Sequence, residues 1–299
     1  MSTSIWHRKR GELRDGALDV HVNPLTTPVP GWKRSGIRVG DASNPIALPA
    51  DSCERVIVIA SGQSVTVTYG SETVTLHGRA DVFDGPADVL YLPINTAATV
   101  AGAARVIIGE SLASVQKSPV VMRAKDVPVL IRGAGRETRQ IHNFCMPETI
   151  DADRIICVEG IVPAGNWSGV PAHKHDTYIP GVESQLEEIY YFECAVARGV
   201  DAPTSAEPTG YFRGYASDDR PFDVDATLHD QDVVLVPHGY HGPVAATPGY
   251  DLYFFNVMAG SDPQREWNVT DDPCHGWIRE TWQNQEPDPR LPYQKKSAQ

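Results

Sequence analysis

The stretch PAHKHDTYIPGVESQLEEIYYF, residues 171–192, decides how this chain is read. His173 and His175 stand two apart, and in extended backbone residues i and i+2 point to the same face, so both imidazoles can reach one point. Twelve residues separate His175 from Glu188, which follows Glu187 at the start of the aromatic run IYYF. One of these two glutamates projects inward with alternate side chains of that strand. Downstream, DVVLVPHGYH (232–241) reads as a buried strand that ends at Pro237, turns at Gly239 and delivers His241. Three imidazoles and one carboxylate suit a divalent transition metal such as Zn, Mn, Fe, Ni or Co. A His-x-His by itself is more often a turn or surface feature; the later glutamate and the Pro-x-Gly-x-His turn are what point to a metal. His238 lies beside His241 in the same turn, whereas His142 and His229 lack such partners and read as structural.

Outward from this stretch the chain is written in short strands. RVIVIA (55–60), SVTVTYG (64–70), ETVTLHG (72–78), DVLYLP (88–93), ATVAG (98–102) and ARVIIGES (104–111) follow one another in the first half. The second half continues with DRIICVEGIVPAG (153–165), EEIYYFECA (187–195), TGYFRGYA (209–216), DATLHDQDVVLVP (225–237) and YDLYFFNVMAG (250–260). Short strands about ten residues apart indicate a sandwich or barrel. No apolar stripe of helical period runs for three turns. DVLYLP…TVAG echoes DVVLVP…PVAAT, a weak internal repeat, and the histidines of the second half have no counterparts in the first. The charged segment 114–137 reads as a crossover between the halves.

The 299 residues are about two domains' worth of chain. The expected division is a first barrel over 1–125 without metal ligands, a metal-binding barrel over 126–282, and a polar, Pro-rich tail over 283–299, extended or frayed. The 24 prolines, about 8% against a usual ~5%, fit many turns. A net charge of −12 and a pI near 5.2 argue against binding nucleic acid or an anionic membrane surface. No window approaches the ~18 apolar residues of a membrane helix, and MSTSIWHRKRGEL does not read as a signal peptide. Cys53, Cys145, Cys157, Cys194 and Cys274 form no Cys-x-x-Cys pair and read as thiols of a reducing, cytoplasmic protein.

The order His-x-His, Glu, Pro-x-Gly-x-His is similar to the two cupin motifs, except that the cupin gap from the second His to the Glu is only a few residues. With its longer gap, PAHKHD…LEEIYYF resembles the bacterial 5-deoxy-glucuronate isomerase family of inositol catabolism. Arg213-Gly214-Tyr215 with DDR (218–220), DVVLVPHGYH, PGYDLYFFNVMAG (248–260) and DDPCHGW (271–277) extend that resemblance. These blocks lie between about 171 and 278, and the strand pattern carries the likeness over nearly the whole chain. The resemblance implies an all-β bicupin of two double-stranded β-helix barrels, with metal in the C-terminal one. A related group of uronate isomerases has its Glu directly before a Val/Ile-Tyr pair. Glu188-Ile189-Tyr190 matches, which favours Glu188 over Glu187 as ligand, with Tyr190 and Phe192 lining the same interior.

The reaction implied is an aldose–ketose isomerisation of a small anionic sugar acid. A divalent metal would polarise the carbonyl and a base would move a proton between adjacent carbons. Asp176, Asp218 and Asp219 are candidate bases and Tyr253 a candidate proton donor, each with an ordinary structural role as the competing reading. Arg213, inside the aromatic strand YFRGY, is the expected clamp for the substrate carboxylate, with Arg220 as an alternative; Lys174 points away from the metal. Competing readings are another metal-dependent cupin enzyme (a uronate isomerase, an epimerase or a dioxygenase) and a sugar-binding cupin without activity. Pairs of barrels bury edges by association, so a homo-oligomer is a further expectation.

Overall fold

The computed structural model describes residues 5–27 and 29–293, and the chain builds two β-barrels whose paired strands are antiparallel. The first sheet draws its strands from Leu18–Val22 through Val120–Met122. Its spine is the pair Cys53–Tyr69 and Ala98–Leu112, joined from Cys53↔Leu112 to Tyr69↔Ala98. Each of these single long strands covers what the sequence pattern divides in two. The chain bends instead of turning, because glycines sit at the ladder shifts. Gly62 has φ +116°, and a Cβ there would stand 2.6 Å from the Ala104 Cα.

Two sheets form the second barrel. The larger runs, in spatial order, His7–Arg8, Val233–Val236, Glu183–Val196, Tyr250–Gly260, Ile156–Val162, Arg139–Cys145 and Val129–Arg132. The smaller runs Asp223–Leu228, Gly210–Tyr215, Tyr240–Ala246, His173–Lys174 and Thr270–Asp271. Residues 225–237 therefore divide between the sheets at a turn where Gln231 takes φ +67°. Position 125/126 falls between Val120–Met122 of the first sheet and Val129–Arg132 of the second barrel, while His7–Arg8 crosses that division to pair with Val233 and Val234.

The larger sheet of the second barrel is buried on both faces. Tyr190, Phe192, Phe254 and Met258 pack into the barrel interior, while Ile189, Tyr191, Phe255 and Val257 pack against the first barrel. Two-sided burial explains why YDLYFFNVMAG shows no apolar–polar alternation. Between the barrels lies a fully buried polar knot. Arg79 grips Glu159 with Nη1–Oε1 2.5 Å and Nη2–Oε2 2.7 Å, and the same carboxylate meets His142 Nδ1 at 2.6 Å and the Tyr253 hydroxyl at 2.6 Å.

Among the described residues the α-helical content is one short piece, Ile278–Thr281, and no helix is long and apolar enough to cross a membrane. The tail, expected to be extended or frayed, is pinned as far as it is described. The Tyr293 ring is buried, its N–H donates to Gln140 Oε1 at 2.6 Å, and Asp288 accepts from Asn166 Nδ2 at 3.0 Å. The rest of that tail, 294–299, lies outside the described residues. Cys53, Cys145, Cys157 and Cys194 are buried free thiols and Cys274 is exposed.

Candidate active site

His173 and His241 are direct partners across two strands of the smaller sheet, and His175 follows two residues on. Ring centroids stand 4.6 Å apart for His173–His241 and 4.8 Å for His175–His241. From the facing strand Glu183–Val196, Glu188 brings Oε2 to 3.0 Å from His175 Nε2 and 3.1 Å from His241 Nε2. The residues between His175 and Glu188 fold as a hairpin, Asp176–Ile179 on Glu183–Val196 with Asp176↔Gln185 in register, which absorbs the long cupin gap and returns the glutamate to the histidines.

Each imidazole turns Nδ1 toward a backbone carbonyl: Pro171 at 3.3 Å for His173, Leu186 at 3.0 Å for His175, and Gly239 at 3.4 Å for His241. A ring that donates from Nδ1 keeps the lone pair on Nε2, the tautomer of a metal-ligating histidine oriented from behind. Glu188 Oε1 is buried without a hydrogen-bond partner among the described residues, and the buried His241 Nε2 faces the other carboxylate oxygen at 3.1 Å. Burial alone would raise the Glu188 carboxyl, but His175 and His241 hold it down to about 2. Burial and the neighbouring imidazoles push His173 well below its ordinary value. A charged carboxylate facing imidazole lone pairs, with one of its buried oxygens orphaned, is a donor set that suits a divalent cation. His173, His175 and His241 form a group able to hold one.

His173 also lines a cavity of about 180 Å³ inside the barrel mouth, together with Tyr190, Phe254, Asn256 and Arg139. A larger cavity of about 600 Å³ lies behind the Glu183–Val196 strand, on the side of Glu187, and takes in none of the three histidines. The smaller one is where a molecule meets the candidate metal centre.

The KduI/IolB family model matches residues 6–278. The chain belongs to the KduI/IolB family. It is 35% identical to the 5-deoxy-glucuronate isomerase of Geobacillus thermodenitrificans, over 87% of this chain and 92% of that protein. It is 32% identical to the 5-deoxy-glucuronate isomerase of Bacillus velezensis, over 94% of this chain and all of that one. Among solved structures, an IolB-like protein from Salmonella typhimurium superposes with a TM-score of 0.79 at 32% identity, covering 91% of this chain and 98% of the other. An oxalate decarboxylase from Bacillus subtilis shares the bicupin fold, with a TM-score of 0.59 at 10% identity over 91% of this chain and 80% of that one.

Within this family fold, the other residues singled out in the sequence fall elsewhere. Asp176 sits on the opposite side of its strand from His175. Its carboxylate is held by Lys174 Nζ at 2.7 Å, Ser217 Oγ at 3.0 Å, Arg220 Nη2 at 2.9 Å and the Gly239 N–H at 2.8 Å. Burial opposes these contacts but they hold the Asp176 carboxyl far below its ordinary value, and through the Gly239 N–H it braces the His241 turn. Asp218 is an exposed turn residue bonded to the Arg220 N–H and guanidinium at 2.8 Å, and the exposed Asp219 belongs to the same turn. Arg220, committed to Asp218 and Asp176, faces the larger cavity. Arg213 pairs with Asp223 at 2.5 Å and lines a separate outer groove with Trp167 and Tyr215. Tyr253 points to the other face of its sheet and is consumed by Glu159. Of the expected substrate contacts only Tyr190 lines the histidine cavity; burial and Glu188 push its phenol well above the ordinary value. Lys174 turns away from the histidines to Asp176 and Glu183, as expected.

Proposed function

We propose that this chain converts 5-deoxy-glucuronate to 5-dehydro-2-deoxy-gluconate, a metal-dependent aldose–ketose isomerisation. The observation that carries the reading is the closed group of His173, His175, His241 and Glu188, which meets a small cavity through His173, in a chain of this family. The four residues are the proposed ligands of one divalent transition metal. When bound, that ion supplies polarisation of the substrate carbonyl and stabilisation of the negative charge that develops on its oxygens.

The protein's own groups do the rest. Tyr190, beside Glu188 and edge-on to His241 with ring centroids 6.1 Å apart, is the hydroxyl placed to give a proton to a substrate oxygen and take it back. Phe254 keeps that end of the cavity apolar, and Phe192 stacks behind Tyr190. Low polarity strengthens every charge interaction inside it. The division of labour is unequal: the first barrel supports, and the chemistry belongs to the second.

Carbon NMR of purified protein with 5-deoxy-glucuronate tests this reading, run metal-loaded and after chelation. Loss of the aldehyde signal and growth of a ketone signal are expected only in the loaded sample. A metal-loaded protein that leaves the aldehyde intact overturns the proposal.

A further inference from the structure

The mouth of the histidine cavity has an unusual charge arrangement. Arg132 and Arg139 are directly opposite each other on neighbouring strands. Like charges in that relation repel and destabilise a sheet. Neither guanidinium has a carboxylate within ion-pair distance among the described residues. Arg139 donates only to the Glu137 carbonyl, at 3.2 Å. A third cation joins them from the short helix: Arg279 lines the same cavity and is tied to Asp271 at 2.5 and 2.7 Å.

Aromatic rings hold the three in place. Arg132 lies over Trp267 at 5.9 Å, and Arg139 and Arg279 lie over Trp282 at 5.7 and 5.5 Å. The indole N–H groups of Trp267 and Trp282 are buried and find no acceptor among the described residues. Burial, together with Arg132 and Arg279, pushes Arg139 down to about 10, the mark of a cation lacking its anion. The mouth is thus rich in donors and poor in acceptors. Arg132 is exposed, but the more buried Arg139 stands opposite it with no acid of its own, and a carboxylate entering the mouth meets both.

We infer that Arg139, flanked by Arg132 and Arg279, is the binding site for the carboxylate of the sugar-acid substrate, setting that group at the mouth and the reacting end of the chain toward His173 and Tyr190. This rests on the proposed isomerase function for the identity of the substrate, and on the cavity alone for its chemical class, a short polyhydroxy acid. The clamp makes the enzyme selective for uronates over neutral aldoses, because a neutral chain leaves Arg139 and Arg132 without an anion.

The test uses the metal-loaded full chain in two arms. In the first, turnover of 5-deoxy-glucuronate is compared for wild type, Arg139→Gln, Arg139→Lys and, as a control for charge, Arg14→Gln on the first barrel. Arg139→Gln is expected to raise KM by about 10- to 100-fold with kcat changed far less, Arg139→Lys to fall between, and Arg14→Gln to match wild type. In the second, calorimetric titration compares gluconate with sorbitol, its neutral counterpart. Wild type is expected to bind gluconate and not sorbitol, and Arg139→Gln to lose gluconate binding by at least tenfold. Arg139→Lys retains the charge if the glutamine variant does not fold. Unchanged KM and unchanged gluconate affinity in both Arg139 variants overturn the inference even where turnover is normal. A wild type that binds gluconate through Arg139 but leaves 5-deoxy-glucuronate unconverted overturns the isomerase reading and keeps the acid site.

Discussion

Glu54 and Glu187 occupy the same position in the two barrels and make the same contact in opposite directions. The pairings Arg55↔Leu92 and Glu188↔Val236 set DVLYLP and DVVLVP in one register, which equates Glu54 with Glu187 and Arg55 with Glu188. Glu54, from the first barrel, accepts from the N–H groups of Asp153, Arg154 and Ile155 at 2.9, 2.6 and 2.6 Å. Glu187, from the second, accepts from Lys33, Arg34 and Ser35 at 2.8, 2.5 and 2.5 Å. Each barrel thus uses one buried carboxylate to satisfy three successive amides of the other.

Removing either carboxylate strands buried amides across the interface. Glu187→Ala and Glu54→Ala are each expected to lower unfolding stability by about 3 kcal/mol in urea titrations. Glu187→Gln, which keeps an acceptor oxygen, loses less. Equal stability of the alanine and glutamine variants counts against the capping role.

At the next residue the barrels diverge. Where Glu188 faces the histidines, the first barrel has Arg55, fully buried and bonded to Glu110 at 2.8 Å and to both oxygens of Asp51 at 2.7 and 2.8 Å. A guanidinium supplies there the positive charge that a metal is proposed to supply in the second barrel. Glu188→Gln is expected to lose bound metal by elemental analysis with little change in fold. Arg55→Met should cost about 2–3 kcal/mol, because the buried Glu110 keeps only Arg38, at 3.0 Å, and Asp51 loses its partner, yet retain full metal content. Metal loss in the Arg55 variant alone reverses the assignment of the two barrels.

Acid should loosen the barrels through Glu159. Burial would raise this carboxyl, but Arg79 and then His142 hold it at about 2 in the folded state, below the ~4.3 of an unfolded glutamate. A depressed folded value contributes stability that is fully present above ~4.3 and is lost as pH falls from there through about 2. Thermal melts between pH 5 and 2 should therefore fall more gently for Glu159→Gln than for wild type, from a starting stability about 3–5 kcal/mol lower at pH 7. Parallel acid profiles for the two proteins dismiss the Glu159–Arg79 pair as their source.

Much of this was legible in the residues. His-x-His, the glutamate and the Pro-x-Gly-x-His turn are local signals, and strand geometry brings them together as the spacing requires. The weak repeat was real information about register. The arginines of the cavity mouth were hidden because they come from three segments, none chemically distinctive. Arg132 stands in a crossover, Arg139 opens an ordinary strand, and Arg279 follows the last conspicuous block. Arg213 drew attention as a charge inside a strand pattern, but Asp223 neutralises it on the outer surface. Glu159 was invisible for the opposite reason: in IICVEGIV nothing marks the one polar side chain as the anchor of an arginine 80 residues earlier in the chain.

The strand His7–Arg8 places a demand on synthesis. Arg8 pairs with Val233, His7 Nε2 lies 2.9 Å from Asp232, and the Arg10 N–H donates to the same carboxylate at 3.0 Å. At ~5–20 residues per second, the ribosome delivers that partner strand roughly 10–45 s after the arm itself emerges. The first barrel has its whole sheet in hand long before then. The arm is made ahead of the first barrel's strands but must wait through the whole of that barrel, and it joins the second barrel only as the turn carrying His241 is also being made.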